Sequence, residues 1–198
     1  MSNSAPASDS IAPCFYRWGF PGSPVRVRLK IDVIPGLWKY LESGLRKQPG
    51  ASAEFGGLLL GTAHLHHIAI TSFEPFVCRP SANGHLAVPE EDWPRLRGAM
   101  DRWSAPNSAI RPVGFFRGHL EGELQLRDQD EILIKEFFPH PSSVFLAVQD
   151  GGPGHPPQAE FFFWDGGKLF PHSILPFPFD TRFMETETRL AQLRVDGE

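Results

Sequence analysis

Four side chains that could carry chemistry lie between positions 117 and 130. Arg117 and His119 alternate along an apolar run that begins at Val113, and after seven further residues come Arg127 and Asp130, three positions apart. Imidazole and carboxylate groups bind Zn²⁺ and transfer protons. An arginine side chain is always charged and offers a metal no lone pair. The segment therefore combines half of a metal site with two cations.

A second distinctive segment lies upstream and begins with an acidic residue. It is EFGGLLLG, residues 54–61, and its first residue is Glu54. Together the two segments resemble the JAB/MPN domain, the JAMM metalloprotease family. Its signature is His-x-His, seven residues and Ser-x-x-Asp at the end of a strand and the start of a helix, with an upstream Glu-x-x-Gly-x-Leu-x-Gly. Arg117 stands here at the first histidine position and Arg127 at the serine position.

The resemblance implies a role for each matched position. Glu54 stands at the general-base position, and His119 and Asp130 stand at two of the three metal-ligand positions. In the family, zinc activates a water molecule, the glutamate moves its proton, and the serine supports the oxyanion. Two protein ligands are too few for the usual zinc site, so we expect no cofactor.

The two substitutions suggest a common electrostatic explanation. Without a metal ion, Glu54 and Asp130 would face each other as unpaired carboxylates, and unpaired buried charge is costly. Two guanidinium groups would restore the charge balance. We therefore expect that Arg117 or Arg127, or both, occupy the metal's place and bridge these acids by charge-assisted hydrogen bonds.

Other residues keep a rearranged metal site open as an alternative. His64 and His66 lie on one face of an extended segment, although a solvent-exposed hairpin end is the simpler interpretation. Glu121 and Glu123 alternate with His119 and could form a shifted, carboxylate-rich site. In this alternative the protein is a zinc metallopeptidase that uses Glu54 as its base.

Composition narrows the class of protein. A chain of 198 residues with 41% hydrophobic residues can bury a core without the help of disulfides or structural metals. Its net charge of −4 gives no electrostatic argument for binding nucleic acid. Two cysteines, Cys14 and Cys78, favour a reducing compartment over a disulfide framework. No stretch reaches the roughly 20 apolar residues of a membrane helix, and residues 1–13 do not match a secretory signal. These features predict a cytoplasmic location and no membrane partner.

Hydrophobic periodicity predicts alternating strands and helices across the middle of the chain. The predicted strands lie near 25–31, 57–61, 68–73, 113–116, 144–148 and 159–164, and the predicted helices near 34–45, 89–103 and 127–138. We expect a flexible N-terminal segment over 1–22, one domain over 23–175, and a linker with a possible helix over 176–198. The resemblance implies an α/β (α+β) fold, a mixed β-sheet of the JAB/MPN-like, cytidine-deaminase-like type flanked by helices.

The site favours a catalytically inactive JAB/MPN-like module that binds another protein or a protein tail, ubiquitin-like tails included. An arginine-lined groove could capture a C-terminal carboxylate, and a homodimer is also compatible with the sequence. The first alternative is the rearranged zinc metallopeptidase or isopeptidase. The second is an anion-binding regulatory module that uses Arg117 and Arg127. The sequence leaves the partner, the substrate and the pathway open.

Overall fold

The structure is a computed structural model that describes residues 14–47, 55–76, 79–80, 86–88, 90–105, 108–119, 124–172 and 174–195. For 45–47, 79–80, 86–87, 119 and 194–195 the description covers the backbone only. Strands and helices alternate through most of the chain. In chain order they are β1 Phe15–Trp18, β2 Arg26–Lys30, α1 Val33–Lys47, β3 Gly56–His64, β4 His67–Phe76, β5 Arg79–Pro80, β6 Leu86–Ala87, α2 Trp93–Trp103, β7 Arg111–His119, α3 Asp128–Phe137, β8 Val144–Gln149, β9 Gln158–Asp165, β10 Lys168–Leu169, β11 Phe177–Pro178 and α4 Thr181–Val195.

One mixed sheet organises the described part of the chain. Its strand order is β1-β2-β4-β3-β7-β8-β9-β10, and β11 also pairs with β9. Two neighbouring pairs are parallel, β2 with β4 and β7 with β8, and the other pairs are antiparallel. The short strands β5 and β6 pair only with each other among the described residues. The strand β7 therefore lies near the middle of the sheet, with β3 on one side and β8 on the other.

Two apolar clusters cover the two faces of this sheet. Leu37 and Leu41 of α1 belong to the first cluster, which also takes in Met184 of α4. Leu96 of α2 and Leu133 of α3 belong to the second. Strands β3, β8 and β9 contribute alternate residues to the two clusters, because successive side chains point to opposite faces of a sheet. The helices thus lie on both faces, as a mixed α+β architecture requires.

The sheet curls so that its first strand approaches one of its last. The indole of Trp18 in β1 lies 5.3 Å from the ring of Phe161 and 5.9 Å from that of Phe163, both in β9. Its Nε1 donates a hydrogen bond to the carbonyl of Leu175. Trp18 is only 2% exposed. Residues near both ends of the sheet therefore share one core.

Glycines in β3 allow close approach of the neighbouring backbone. A Cβ atom on Gly57 would lie 2.2 Å from the carbonyl oxygen of Glu74, and one on Gly61 would lie 1.8 Å from that of Ala69. The pairing of β3 with β4 also shifts register between Leu60 and Gly61, which is where a bulge brings backbones together. The close approach of the neighbouring backbone therefore explains why Gly57 and Gly61 of the EFGGLLLG segment are glycines.

The predicted α+β class, with a mixed sheet flanked by helices, is confirmed. The predicted flexible segment over 1–22 is wrong for residues 15–18, because these form β1 and bury Trp18 in the core. At the other end, the possible helix within 176–198 is α4, and its Met184 is fully buried. No helix within the described ranges combines the length and the apolar character needed to cross a membrane.

Candidate functional site

A buried ion pair connects the end of β7 to the first turn of α3. The Nη2 atom of Arg117 lies 2.9 Å from Oδ2 of Asp130, and the two side chains are 1% and 5% exposed. The same Nη2 donates a 2.8 Å hydrogen bond to the carbonyl oxygen of Gln125. Hydrogen bonds between charged groups are shorter and stronger than neutral ones. One arginine thus holds together a strand, the segment after it and the helix that follows.

Asp130 also stabilises the start of α3. Its Oδ2 accepts a hydrogen bond from the backbone N–H of Arg127, 2.9 Å away. Arg127 is the extended residue that precedes the helix, and Asp130 is its third residue. A carboxylate in the first turn satisfies an unpaired N–H and interacts favourably with the helix dipole. The carboxylate of Asp130 therefore receives both a guanidinium and a backbone donor.

The surrounding strands fix where this ion pair lies. Arg117 is paired in register with Gly56 of β3 on one side and with Ala147 of β8 on the other. The segment that bears Gln125 is itself tied to the chain near position 172 by an isolated bridge between Gln125 and His172. Arg117 is thus enclosed by paired strands and by an anchored loop, which explains its burial.

A second buried acid lies on the same face of the sheet two strands away. Glu160 of β9 is paired with Ala147, which is paired in turn with Arg117, so the three residues form one row across β7, β8 and β9. Glu160 is fully buried, and both of its carboxylate oxygens lie within hydrogen-bond distance of the backbone N–H of Leu175, at 3.2 and 3.1 Å. Neighbouring strands are about 4.8 Å apart, so the Cα atoms of Arg117 and Glu160 are about 10 Å apart.

Sequence reasoning missed Glu160. The signal was a single carboxylate inside an otherwise apolar strand, AEFFFW at 159–164. Acidic residues are rarely buried without a partner, so a charge in such a run marks a polar contact in the core. The contact partner, the N–H of Leu175, lies in a segment that has no regular pattern in the sequence.

The predicted site residues fall into three groups. The structure brings Arg117 and Asp130 into contact, whereas the expected bridge from an arginine to Glu54 lies outside the described residues. Arg127 lies beside Asp130, and its backbone N–H donates a hydrogen bond to the Asp130 carboxylate. Glu54 lies outside the described residues, and of His119 only the backbone is described, paired with Gln149 at the end of β7. The alternative ligands Glu121 and Glu123 also lie outside the described residues.

The described part of this site does not fit a zinc ion. The carboxylate of Asp130 is already bonded to a permanent cation, and that cation has no lone pair with which to replace a histidine. Among the side chains that the structure describes, no group of three or more His, Cys, Asp or Glu residues could hold a metal. His64 and His66, the other proposed chelators, are both exposed, and Nδ1 of His66 lies 2.8 Å from the carbonyl oxygen of Pro24.

Comparisons with known proteins give no family. No protein-family model matches the chain, and no curated protein matches it either. Among solved structures, a protein of Desulfitobacterium hafniense is 16% identical, with a TM-score of 0.47 over 74% of this chain and 90% of that one. A protein of Salinibacter ruber is 14% identical, with a TM-score of 0.43 over 74% of this chain and 89% of that one. Likenesses of this size do not identify the fold.

Proposed function

We propose that the protein is a catalytically inactive JAB/MPN-like module that binds another protein or a protein tail. The observation that carries the proposal is the buried ion pair between Arg117 and Asp130. It places a cation beside the carboxylate that stands at a metal-ligand position of the resemblance. A guanidinium supplies positive charge and hydrogen bonds there, but it can neither activate water as a Lewis acid nor bind a fourth ligand.

The arrangement of the two sequence segments supports the resemblance. Arg117 and His119 lie at the end of a strand, and Asp130 lies in the first turn of the next helix. The segment after Glu54 forms β3, whose first residue, Gly56, is paired in register with Arg117. Two segments about 60 residues apart in sequence are thus neighbours in the sheet, as one shared site requires.

The first test is the metal content of wild-type protein purified without a metal-affinity column and without chelator. We expect substoichiometric zinc by elemental mass spectrometry, both as purified and after incubation with zinc followed by desalting. One zinc per chain that is lost in both His119→Ala and Asp130→Ala would overturn the proposal and support the rearranged metallopeptidase. In that case Glu54→Gln should abolish cleavage of a ubiquitin fusion.

The binding half of the proposal needs its own measurement. Ubiquitin labelled with ¹⁵N is the probe, because ubiquitin-like tails are the class of partner that the resemblance implies. Chemical-shift changes confined to its C-terminal tail, and reduced by Arg127→Ala, would support a groove that binds tails. An unchanged spectrum at millimolar protein would exclude ubiquitin and direct the search to other protein tails.

A further inference from the structure

The turn between β3 and β4 presents a strained, exposed leucine. Leu65 has a backbone φ of 52°, and it is the one residue other than glycine with a positive φ among the described residues. Leucine is disfavoured in this region because its Cβ crowds the backbone, whereas glycine and asparagine tolerate it. The side chain is nevertheless 71% exposed, more than the other large apolar side chains that the structure describes. Local packing therefore does not explain why a leucine is here.

Three neighbouring segments hold the backbone of this turn in place. We call His64–His67 the hairpin tip. The backbone N–H of Arg26 donates to the carbonyl of His66 at 2.7 Å, and Nη2 of Arg111 donates to the carbonyl of Ala63, next to the tip, at 2.8 Å. The hydroxyl of Ser142 donates to the carbonyl of Leu65 itself. A strained backbone conformation persists where several surrounding contacts hold it in place. These hydrogen bonds therefore keep Leu65 in a fixed outward position.

The surface around the hairpin tip is basic although the chain as a whole has a net charge of −4. No Asp or Glu occurs in the described segments that form or contact the tip, namely 18–31, 59–71, 108–113 and 138–144. Asp165 lies at the same end of the sheet but three strands away from β3. The exposed side chains around Leu65 include two arginines and four histidines, namely Arg26, Arg111, His64, His66, His67 and His140.

We propose that the hairpin tip binds a partner protein that has an apolar pocket with Asp and Glu side chains around its rim. Leu65 would fill the pocket, and the basic surround would face the acidic rim. A single side chain can anchor a protein interface when a pocket encloses it completely. Complementary charge around such an anchor favours the right partner and speeds association.

Other classes of partner fit this surface less well. Stable attachment to a lipid surface needs a larger apolar area or a second anchor, and the tip offers one leucine. Nucleic acid is bound through several Lys or Arg contacts to phosphates, and here Arg26 and Arg111 are the two arginines, one of them bonded to a backbone carbonyl. A partner protein with a small apolar pocket surrounded by acidic side chains therefore matches this surface best, because the surface has one exposed leucine surrounded by basic side chains.

This inference goes beyond the proposed function, because the two surfaces lie at opposite ends of β3. Gly56, the register partner of Arg117, begins the strand, and His64 of the hairpin tip ends it. Eight residue steps of about 3.4 Å separate these two positions by about 27 Å. A variant at one end can therefore be tested without disturbing the other.

The experiment selects ligands for the full-length protein from a phage-displayed library of a small folded domain with a randomised concave surface, because only a folded ligand can offer a pocket. We expect selected domains whose randomised surface combines apolar residues with surrounding Asp or Glu, and at least tenfold weaker binding of those domains to Leu65→Asn. Because asparagine tolerates a positive φ, Leu65→Asn should melt at or above the wild-type temperature. Its matched control is Leu193→Asn, the same change at a leucine of α4 that is 68% exposed, and this variant should bind as wild type does.

Four outcomes would overturn the inference. Selected domains that bind Leu65→Asn as well as wild type would mean that the hairpin tip is not the docking surface. Failure to select any domain above background, or selection without acidic enrichment, would count against a pocket of this chemistry. Flotation of wild type but not Leu65→Asn with vesicles of phosphatidylserine and phosphatidylcholine would assign the tip to lipid instead.

Discussion

Nη2 of Arg117 and Oδ2 of Asp130 lie 2.9 Å apart, with both side chains almost fully buried. Taking one member of such a pair away leaves the other as an uncompensated charge in a medium of low dielectric. The pair connects β7 to α3, and the same arginine holds the carbonyl of Gln125. The stability of this region should therefore depend on keeping the two charges together.

Replacing the buried arginine should destabilise the protein strongly. In Arg117→Met we expect the free energy of unfolding to fall by about 3–5 kcal/mol, because Asp130 loses its cation. Urea denaturation followed by circular dichroism measures this. The surface pair of Arg97 and Glu136 is the matched control, since both side chains are substantially exposed, and Arg97→Met should cost less than about 1 kcal/mol.

A double variant separates charge from shape at this pair. Arg117→Met combined with Asp130→Asn should be more stable than Arg117→Met alone, because asparagine carries no charge and its side-chain oxygen can still accept the N–H of Arg127. A double variant that loses the sum of the two single effects would show that the residues are not coupled. The ion pair would then not explain the stability of the site.

The glycine at the bulge of β3 should not tolerate a methyl group. A Cβ on Gly61 would lie 1.8 Å from the carbonyl oxygen of Ala69, so Gly61→Ala must displace backbone, and we expect a loss of about 3 kcal/mol or more. Gly98 in α2 is the control, because a Cβ there meets no atom within 4 Å. Gly98→Ala should raise the free energy of unfolding by up to about 1 kcal/mol. Equal effects of the two substitutions on the urea midpoint would contradict this account of β3.

The buried carboxylate of Glu160 should protect the amide of Leu175 from exchange with solvent. In Glu160→Leu we expect hydrogen exchange at Leu175 to be at least tenfold faster, since a hydrogen bond to a charged group is worth about 1.5–3 kcal/mol. Glu160→Gln keeps one acceptor oxygen and should lose less protection. The amide of Phe179, which donates to Pro157, should exchange as in wild type in both variants, and faster exchange there would mean general unfolding instead.

Tyr16 should make the fold sensitive to alkali. Burial, helped by the negative charges of Glu187 and Glu160, raises the pKa of Tyr16 to about 12. The folded state therefore holds the phenolic proton more tightly than the unfolded state, whose tyrosine pKa is about 10. The stability that this gives is complete below about pH 10 and is lost as the pH rises towards about 12.

Two measurements check the tyrosine prediction. The chain has two tyrosines, so an ultraviolet titration of wild type against Tyr16→Phe isolates the contribution of Tyr16. Denaturation across the same pH range should show a smaller loss of unfolding free energy in Tyr16→Phe than in wild type. A Tyr16 that ionises at its ordinary pKa, or identical pH profiles for the two proteins, would contradict the prediction.

The parts of the fold that follow from local patterns could be predicted from the sequence. Alternation of apolar and basic residues over 25–31 indicated β2, and helical spacing around Leu37 and Leu41 indicated α1. The short third helix, expected to end before Pro139, ends at Phe137. In each case the residues that form the element also carry its periodicity.

The parts that depend on distant partners could not be predicted. Strand β1 has four residues and follows a segment rich in Ser, Ala and Pro, and the ring of Phe161 against which Trp18 packs is more than 140 residues away. Glu160 was missed for the same reason, because its hydrogen-bond partner lies on a segment without periodicity. The ion pair of Arg117 and Asp130 could be predicted because both residues belong to one short motif.

The measurement that tests the central claim most directly is the zinc content of Arg117→His. If Arg117 stands where a histidine ligand would stand, the introduced imidazole should join His119 and Asp130 as the third ligand. The variant should then bind one zinc per chain after incubation and desalting, while Arg117→Gln should bind none. Circular dichroism must show that both variants are folded. A folded Arg117→His that takes up no zinc would contradict the account, because the arginine would then not occupy a metal-ligand position.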